Sequence, residues 1–223
     1  MIKIVSLDIV DLIPCFSGIM FVLKEGQEDE SIKVSFYKFD LSSKSIASVT
    51  KNAYLLTKFG SAFAPIARQL GDYISCDSAK LWNGQTFVIY SSGEIGIFDE
   101  QGNLLKTGDL SYRDAPARDV AIDNNYIWSV VPDENLIVKY SLLQSRVIMR
   151  IGGDSASTFS KPVSVSEYDV YLYVCNQTSY KIKRIRLNDF SVEDYKEFDE
   201  PVYKFLKVDN HEFVILDSGV YML

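Results

Sequence analysis

The sequence has little of the residue chemistry that metal sites and disulfide frameworks need. Its 223 residues contain three cysteines and one histidine, and Cys15, Cys76 and Cys175 lie far apart with no CxxC pair. An odd number of widely spaced cysteines argues against a zinc site and against a disulfide framework, so we expect three reduced thiols, mostly buried. His211 follows two turn-forming residues, so we expect it in an exposed hairpin turn. No metal or other cofactor is expected.

The sequence also lacks an excess of positive charge and any long apolar run. Lys and Arg number 23 against 30 Asp and Glu, which gives a net charge of −7. A chain of this balance offers no broad basic face for nucleic acid or for an anionic membrane surface. No stretch reaches the roughly 20 apolar residues of a membrane-spanning helix, and Asp8 and Asp11 interrupt the apolar N-terminal stretch. We therefore expect a cytoplasmic protein with neither nucleic-acid nor membrane partners.

Glycine and proline are scarce, whereas tyrosine and phenylalanine are abundant. There are 12 Gly and 6 Pro against 14 Tyr and 13 Phe, a balance that favours β-sheet. Four apolar segments of one pattern recur, and their starts are separated by 40, 45 and 41 residues. These segments are Phe87-Val88-Ile89-Tyr90, Ile127-Trp128-Ser129-Val130, Leu172-Tyr173-Val174-Cys175 and Phe213-Val214-Ile215-Leu216. Each is preceded by a candidate strand, which is Tyr73-Ile74-Ser75-Cys76 for the first of them, and is followed by a polar turn, another strand and usually one more.

Four short strands in each repeat of about 40–45 residues are typical of a β-propeller blade. Residue pairs that favour tight hairpins, such as Asn83-Gly84, separate the strands, and residues 19–51 form a fifth, looser copy. The last repeat ends after its third strand, while Ile2-Lys3-Ile4-Val5 supplies a spare strand. We therefore predict an all-β fold. It is a single five-bladed propeller domain over 1–223, with the ring closed by the N-terminal strand.

Residues 53–72 do not fit the pattern of a blade. Phe63, Ile66 and Leu70 share one face of a short helix predicted over 61–70, although Pro65 in its middle opposes a helix. The segment is either an insertion between blades or the centre of a sixth blade. A six-bladed ring is therefore the alternative fold.

Three motifs follow one another within residues 114–187. Phe159-Ser160-Lys161-Pro162 precedes Tyr171-Leu172-Tyr173-Val174-Cys175-Asn176, and Lys181-Ile182-Lys183-Arg184-Ile185 comes last. They resemble the Phe-x-x-Pro motif, the Tyr-Val-x-Asp strand and the closing strand of NHL and YVTN-type propeller repeats, with Asn176 in place of the usual Asp. The resemblance covers about a third of the chain. Such proteins most often bind proteins, peptides, sugars or small ligands, and a minority are enzymes, so the resemblance implies a fold without choosing a ligand.

The predicted propeller collects its longer loops on one face. Loops after the second strand and after the outer strand of each blade lie at one end of the ring. Here these are 25–32, 53–72, 106–118, 131–135, 152–161 and 176–180. Long loops on a rigid scaffold commonly carry binding residues. We therefore predict a site for a protein, peptide or small polar ligand on this face. Its candidate residues are Tyr112, Arg113, Asp114, Arg118, Asp133, Asn135, Phe159, Asn176 and Tyr180.

Two interpretations of this cluster stay open. Arginine beside tyrosine is a frequent combination in binding hot spots, and Tyr112 and Arg113 are adjacent. Alternatively, Arg113 and Arg118 pair with the aspartates that follow them and only order the loop.

Carboxylates near the inner strands supply the alternative function. Asp8, Asp11, Asp77 and Asp119 stand close to predicted inner strands. Some five-bladed propellers are glycoside hydrolases with paired inner-strand carboxylates, one acting as acid and the other as base or nucleophile. Two such carboxylates in one open channel mouth would favour an enzyme, whereas a channel plugged by aromatic side chains would favour an interaction scaffold. A non-enzymatic binding module is the primary prediction, and no catalytic residue is assigned.

Overall fold

Five four-stranded antiparallel sheets form a ring in a computed structural model of the chain, which describes residues 1–6, 8–28, 31–70, 75–153 and 158–223. The prediction of a five-bladed β-propeller is confirmed. The loops at 25–32, 53–72 and 152–161, named above, extend in part outside the described residues.

The strands follow the blades in chain order, except that β1 (Ile2–Val5) belongs to the last blade. Blade 1 contains β2 (Ile9–Cys15), β3 (Gly18–Glu28), β4 (Ser31–Asp40) and β5 (Ile46–Val49). Blade 2 contains β6 (Cys76–Lys80), β7 (Thr86–Tyr90), β8 (Glu94–Phe98) and β9 (Leu104–Asp109). A small hairpin of β10 (Ser111–Tyr112) and β11 (Ala115–Pro116) leads into blade 3.

The remaining blades repeat the arrangement. Blade 3 contains β12 (Arg118–Asp123), β13 (Tyr126–Val131), β14 (Leu136–Ser141) and β15 (Arg146–Gly152). Blade 4 contains β16 (Pro162–Tyr168), β17 (Tyr171–Asn176), β18 (Lys181–Arg186) and β19 (Val192–Glu197). Blade 5 contains β20 (Val202–Val208), β21 (His211–Leu216), β22 (Gly219–Met222) and β1.

The apolar segments that revealed the repeat are the second strands of blades 2 to 5. In β7, β13, β17 and β21, at least four consecutive residues are buried, because both faces of the strand pack against neighbouring blades. Strands covered on both faces are continuously apolar instead of alternating. The outer strand β15 alternates exposed and half-buried residues, as expected for a strand with one face in water.

The N-terminal strand completes blade 5, as predicted. β1 pairs antiparallel with β22, with Ile2 opposite Met222 and Lys3 opposite Tyr221. Gly219 allows this close approach: its φ is +136°, and a Cβ there would stand 2.1 Å from the Val5 carbonyl oxygen. Pairing of the two chain ends covers the sheet edge that blade 5 would otherwise expose.

Two helices lie between blades 1 and 2, in the segment that fits no blade. They are α1 (Lys51–Phe59) and α2 (Phe63–Leu70), joined by a single 3-10 turn. Their buried residues, Tyr54, Leu55, Phe59 and Ile66 among them, share one core cluster with residues of both blades. The six-bladed alternative is therefore wrong, because this segment is a helical wedge in a ring of five blades.

Three sequence-based details in this region need correction or refinement. The predicted helix over 61–70 corresponds to α2, where Pro65 lies in the first turn and its missing N–H needs no partner. The helix α1 was not predicted; Thr50 caps it by accepting a hydrogen bond from the Ala53 N–H. The inner strand of blade 2 was expected around Tyr73–Cys76, but β6 begins at Cys76, and residues 73–74 lie outside the described residues.

The antiparallel order of each blade defines two faces of the ring. Loops that follow the second and outer strands lie at the end where the inner strands begin, and we call this the long-loop face. Turns that follow the inner and third strands lie at the other end, which we call the short-turn face. Within the described parts of the chain, no helix is long and apolar enough to cross a membrane.

Candidate functional site

The inner strands bring charged residues from four blades to the central channel. Asp11 lies on β2, Asp77 on β6, Asp119 on β12 and Lys204 on β20. The Lys204 Nζ stands 3.2 Å from an Asp11 oxygen, 3.4 Å from Asp77 and 3.5 Å from Asp119. One ammonium group therefore contacts three carboxylates from three different blades.

The helical wedge supplies a second ammonium group. α1 buries one face, which carries Tyr54 and Lys58 one turn apart. The Lys58 Nζ forms an ion pair with Asp11 and another with Asp77 at 3.1 Å, and its side chain is 4% exposed. The Tyr54 hydroxyl donates a hydrogen bond to Asp11 at 2.5 Å. We call Asp11, Lys58, Asp77, Asp119 and Lys204 the central charge network.

Asp119 connects blade 3 to blade 4 through its carboxylate. It sits at an irregularity in the pairing of β12 with β13, where its φ is +50°. One of its oxygens accepts the Val120 N–H at 3.0 Å, and the other accepts the Val165 N–H of β16 at 2.9 Å. The unusual backbone thus turns this carboxylate toward the neighbouring blade and toward Lys204.

The network contains three carboxylates but only two ammonium groups, and the pKa values reflect this. Burial opposes ionisation of Asp11 and Asp77, but Lys204 and Lys58 outweigh it, so both pKa values lie below the ordinary value. Burial, with repulsion from Asp77 and Asp11, raises the pKa of Asp119 to about 7 despite Lys204. Burial would lower the pKa of Lys204, but the three carboxylates raise it well above its ordinary value. With Asp119 protonated, the network is neutral.

The network separates two cavities along the channel. The cavity toward the long-loop face has a volume of about 230 Å³, and its lining includes Val10, Tyr90 and Arg118. The cavity toward the short-turn face has a volume of about 430 Å³, and its lining includes Pro14 and Glu167. The second volume falls in the range of small-molecule sites.

The predicted residues Tyr112, Arg113 and Asp114 form the tip of the β10–β11 hairpin on the long-loop face. Arg113 and Asp114 are the two loop residues of this hairpin. Their φ values of +50° and +66° are both positive, as a type I′ turn requires. The Tyr112 ring lies 5.2 Å from the Arg113 guanidinium and 4.8 Å from that of Arg150, which also donates a hydrogen bond to its hydroxyl. Arg113 pairs with Glu134 at 3.7 Å.

The other predicted residues of this face have diverse surroundings. The Asn135 side chain accepts the Lys161 N–H, and the buried Asn176 side chain accepts the Ser160 N–H at 3.0 Å, so both hold the loop before β16. Phe159 is buried in the core between blades 3 and 4. Arg118 and Asp133 are exposed, and Tyr180 is 38% exposed. Arg118 was a possible partner of Asp119 in the second interpretation above. In the structure, Asp119 pairs with Lys204 instead.

The structure also tests the expectations for Asp8, His211 and the three cysteines. Asp8 is exposed and lies outside the central charge network, unlike the other three candidate carboxylates. His211 was expected in an exposed turn but begins β21 and is only partly exposed, so that expectation was wrong. All three cysteines are free, with Cys76 and Cys175 buried.

Sequence reasoning missed the two lysines of the network and Glu167. Lys204 follows an irregularity in the pairing of β20, so strand alternation does not reveal that it faces the channel. Lys58 comes from a helix that was not predicted. The signal that was present is the position of Tyr54 and Lys58 one turn apart in a segment that fits no blade.

Several solved structures share this architecture at low sequence identity. Streptogramin B lyase aligns over 96% of this chain and 64% of its own, with a TM-score of 0.53 and 12% identity. The WD40 repeats of RRP9 align over 93% of this chain and 57% of their own, with a TM-score of 0.52 and 13% identity. Sqt1 of Saccharomyces cerevisiae aligns over 97% of this chain and 72% of its own, with a TM-score of 0.54 and 11% identity.

These similarities concern the fold. The chain spans less than two thirds of the length of the lyase and of the RRP9 repeats. No family model matches the chain, and no curated protein matches its sequence. The resemblance to propeller-repeat proteins that the sequence motifs indicated is confirmed as a likeness of fold.

Proposed function

We propose that this propeller is a non-enzymatic binding module that holds a protein partner on its long-loop face. The observation that carries the proposal is the contact of the Tyr112 ring with two guanidinium groups at the tip of the β10–β11 hairpin. Tyrosine and arginine are enriched in binding hot spots because each offers a large, stiff contact area together with hydrogen-bond donors. The WD40 repeats among the similar structures make a protein partner the favoured ligand class.

The hairpin is held firmly enough to present this side chain. Leu110 and Ala117, which flank the hairpin, are buried in the core between blades 2 and 3, and Tyr112 packs against the same cluster. The Leu110 carbonyl accepts the Ala117 N–H at 2.9 Å and closes the base of the hairpin. A contact surface that is ordered before binding loses little conformational entropy when a partner docks.

Affinity capture with matched surface variants tests the proposal. The bait is the full chain, compared with Tyr112→Ala and with Trp82→Ala, which changes a 78% exposed aromatic on the opposite face. A partner that is identified and then purified should bind the wild type and the Trp82→Ala variant equally. It should bind Tyr112→Ala at least tenfold more weakly, since hot-spot truncations cost about 2 kcal/mol or more. Equal binding by all three proteins would contradict the assignment.

A glycoside hydrolase is the second candidate, and one observation favours it. Asp119, whose pKa is raised to about 7, lies in the channel with Asp77 and Asp11, whose pKa values are lowered. A protonated carboxyl beside an ionised one is the pairing that glycoside hydrolysis uses. Both ammonium groups occupy the space between these carboxyls, and for this reason we rank binding first. Release of nitrophenol from aryl glycosides, abolished by Asp119→Asn, would reverse the ranking.

The cellular location is part of the proposal. Cys76 and Cys175 are free and buried, and burial raises the pKa of both thiols to about 12. Reduced, unreactive thiols suit a reducing compartment, so we propose a cytoplasmic location.

A further inference from the structure

The cavity of about 430 Å³ on the short-turn side has no role in the proposed function. Its walls are largely apolar, with Leu12, Ile13, Val120, Ile122 and Leu206 among the lining residues. Its inner end is formed by members of the central charge network, Lys58, Asp77, Asp119 and Lys204. A cavity of this size with apolar walls and a few polar groups at one end is the usual form of a small-molecule site.

The central charge network, four members of which form this end of the cavity, has three carboxylates and two ammonium groups. Lys58 contacts Asp11 and Asp77, and Lys204 contacts Asp11, Asp77 and Asp119. Both ammonium groups are therefore already engaged by carboxylates, whereas three carboxylates share two positive charges. When Asp119 is ionised, the network carries one buried negative charge in excess, which favours the arrival of a cation and disfavours an anion.

Two further polar groups on the cavity wall lack a partner. Glu167, on the inner strand of blade 4, is half-buried, and its carboxylate forms no ion pair or hydrogen bond with any residue that the structure describes. The Ser166 Oγ beside it is buried and has no hydrogen-bond partner within the described parts of the chain. Unpartnered buried oxygens are costly unless a ligand or water completes them.

The other charged groups near this wall are few. Asp123 and Lys139 lie close enough to act on Glu167, and they form an ion pair with each other at 3.0 Å. Lys80 lines the cavity on β6 and is exposed, so solvent screens its charge. The turns that follow the inner strands at this end carry the exposed side chains of Phe16, Trp82 and Val170.

We propose that this cavity binds a small organic cation, a primary ammonium group on an apolar body. The ammonium would balance the negative charge of Asp119 and Glu167, while the apolar body would fill the space between the aliphatic walls. The same chemistry is carried by a free amine and by a lysine side chain of a partner. The free amine is favoured because the amide groups flanking a lysine would meet apolar wall.

Uptake of a cation should release protons near neutral pH. Burial and repulsion from Asp123 raise the pKa of Glu167 to about 7, the same value as that of Asp119. Both carboxyls are thus part protonated at neutral pH, and a bound ammonium shifts them toward the ionised form. At about pH 8 both carboxyls are mostly ionised while a primary amine is still protonated, so the release should be much smaller.

Isothermal titration of the full chain tests the proposal with benzylamine, benzyl alcohol, phenylacetate and N-acetyl-lysine methylamide as probes. Benzylamine should bind at least tenfold more tightly than the uncharged alcohol and more tightly than the blocked lysine, and phenylacetate should not bind. Titrations in two buffers of different ionisation enthalpy should show proton release at about pH 7 and several times less at about pH 8, where benzylamine is still protonated. Benzylamine binding no tighter than the alcohol, or binding of phenylacetate, would overturn the proposal.

Three variants locate the site. Glu167→Gln removes the half-buried charge and should weaken benzylamine about tenfold, whereas Lys80→Gln removes a charge that solvent screens and should change the affinity by less than about twofold. Tyr112→Ala on the opposite face should change nothing, which separates this site from the proposed partner surface. Thermal unfolding of each variant without ligand verifies that it is folded. Equal benzylamine affinity in the folded Glu167→Gln and Lys80→Gln variants would place the ligand elsewhere and overturn the assignment.

Discussion

Replacing Asp119 by Asn tests the effect of the one carboxylate that the two ammonium groups of the network do not neutralise. Asn has the same shape, and it tolerates the φ of +50° better than most residues. Its amide oxygen can still accept the Val165 N–H that links blade 3 to blade 4. The substitution therefore removes the titratable proton while retaining much of the local geometry.

The expected magnitude follows from the pKa of Asp119, which rises from 3.8 to about 7 on burial. A group whose pKa is raised by folding stabilises the fold below its unfolded pKa, and this contribution is lost as pH rises through the folded pKa. At about 1.4 kcal/mol per pKa unit, the wild type loses at most about 4 kcal/mol over this window. The Asn variant has no such loss. Its free energy of unfolding relative to the wild type should therefore rise by about 2–4 kcal/mol between about pH 4 and pH 8.

Urea denaturation followed by fluorescence of the buried Trp128 measures this difference at each pH. Asp114→Asn is the matched control, because Asp114 is exposed and also has a positive φ, so its difference should stay within about 0.5 kcal/mol at every pH. A difference between Asp119→Asn and the wild type that is constant with pH, or that falls as pH rises, would refute the reasoning.

Three further predictions follow from packing and burial. Lys58→Met leaves Asp11 and Asp77 with Lys204 as their remaining cation in the network and should cost about 3–5 kcal/mol in urea denaturation; a cost below about 1 kcal/mol would contradict a structural role for the pair. Gly219→Ala places a Cβ 2.1 Å from the Val5 oxygen, so the melting temperature should fall by several degrees and approach that of a chain lacking residues 1–6; an unchanged melt would argue against closure by β1. A thiol reagent at neutral pH should label at most Cys15 in the folded protein and all three cysteines in urea, because Cys76 and Cys175 are buried.

The repeat and the closure of the ring were predictable because they depend on local patterns. Second strands buried on both faces leave apolar runs such as those at Ile127 and Leu172, and hairpin turns of fixed chemistry separate the strands. The sequence has a spare strand at Ile2 and lacks an outer strand in the last repeat, so pairing of the two was the natural prediction. The helix α1 escaped prediction because its stabilisation comes mainly from burial between two blades, and the spacing of Tyr54 and Lys58 is only a weak local signal.

Some residues of the candidate site were also predictable from local sequence, and others were not. The Tyr112–Arg113 pair was found because its members are adjacent and lie in a loop whose face the blade order fixes. Asn135, Phe159 and Asn176 were grouped with it by loop position alone, and the structure gives their side chains roles in holding loops and core. Loop position predicts the face of a residue but leaves the direction of its side chain open.

The sequence by itself indicated a ring of four-stranded blades, the strand that closes the ring and the face that carries the long loops, while the structure decided between five blades and six. Each depends on residues close together in the chain or on a simple repeat. Only the tertiary structure decided that Asp11, Lys58, Asp77, Asp119 and Lys204 meet in the channel. The physical reason is that the ring converts large separations along the chain into contacts of a few ångströms. Irregular strand pairing and a helical wedge then set which side chains turn inward.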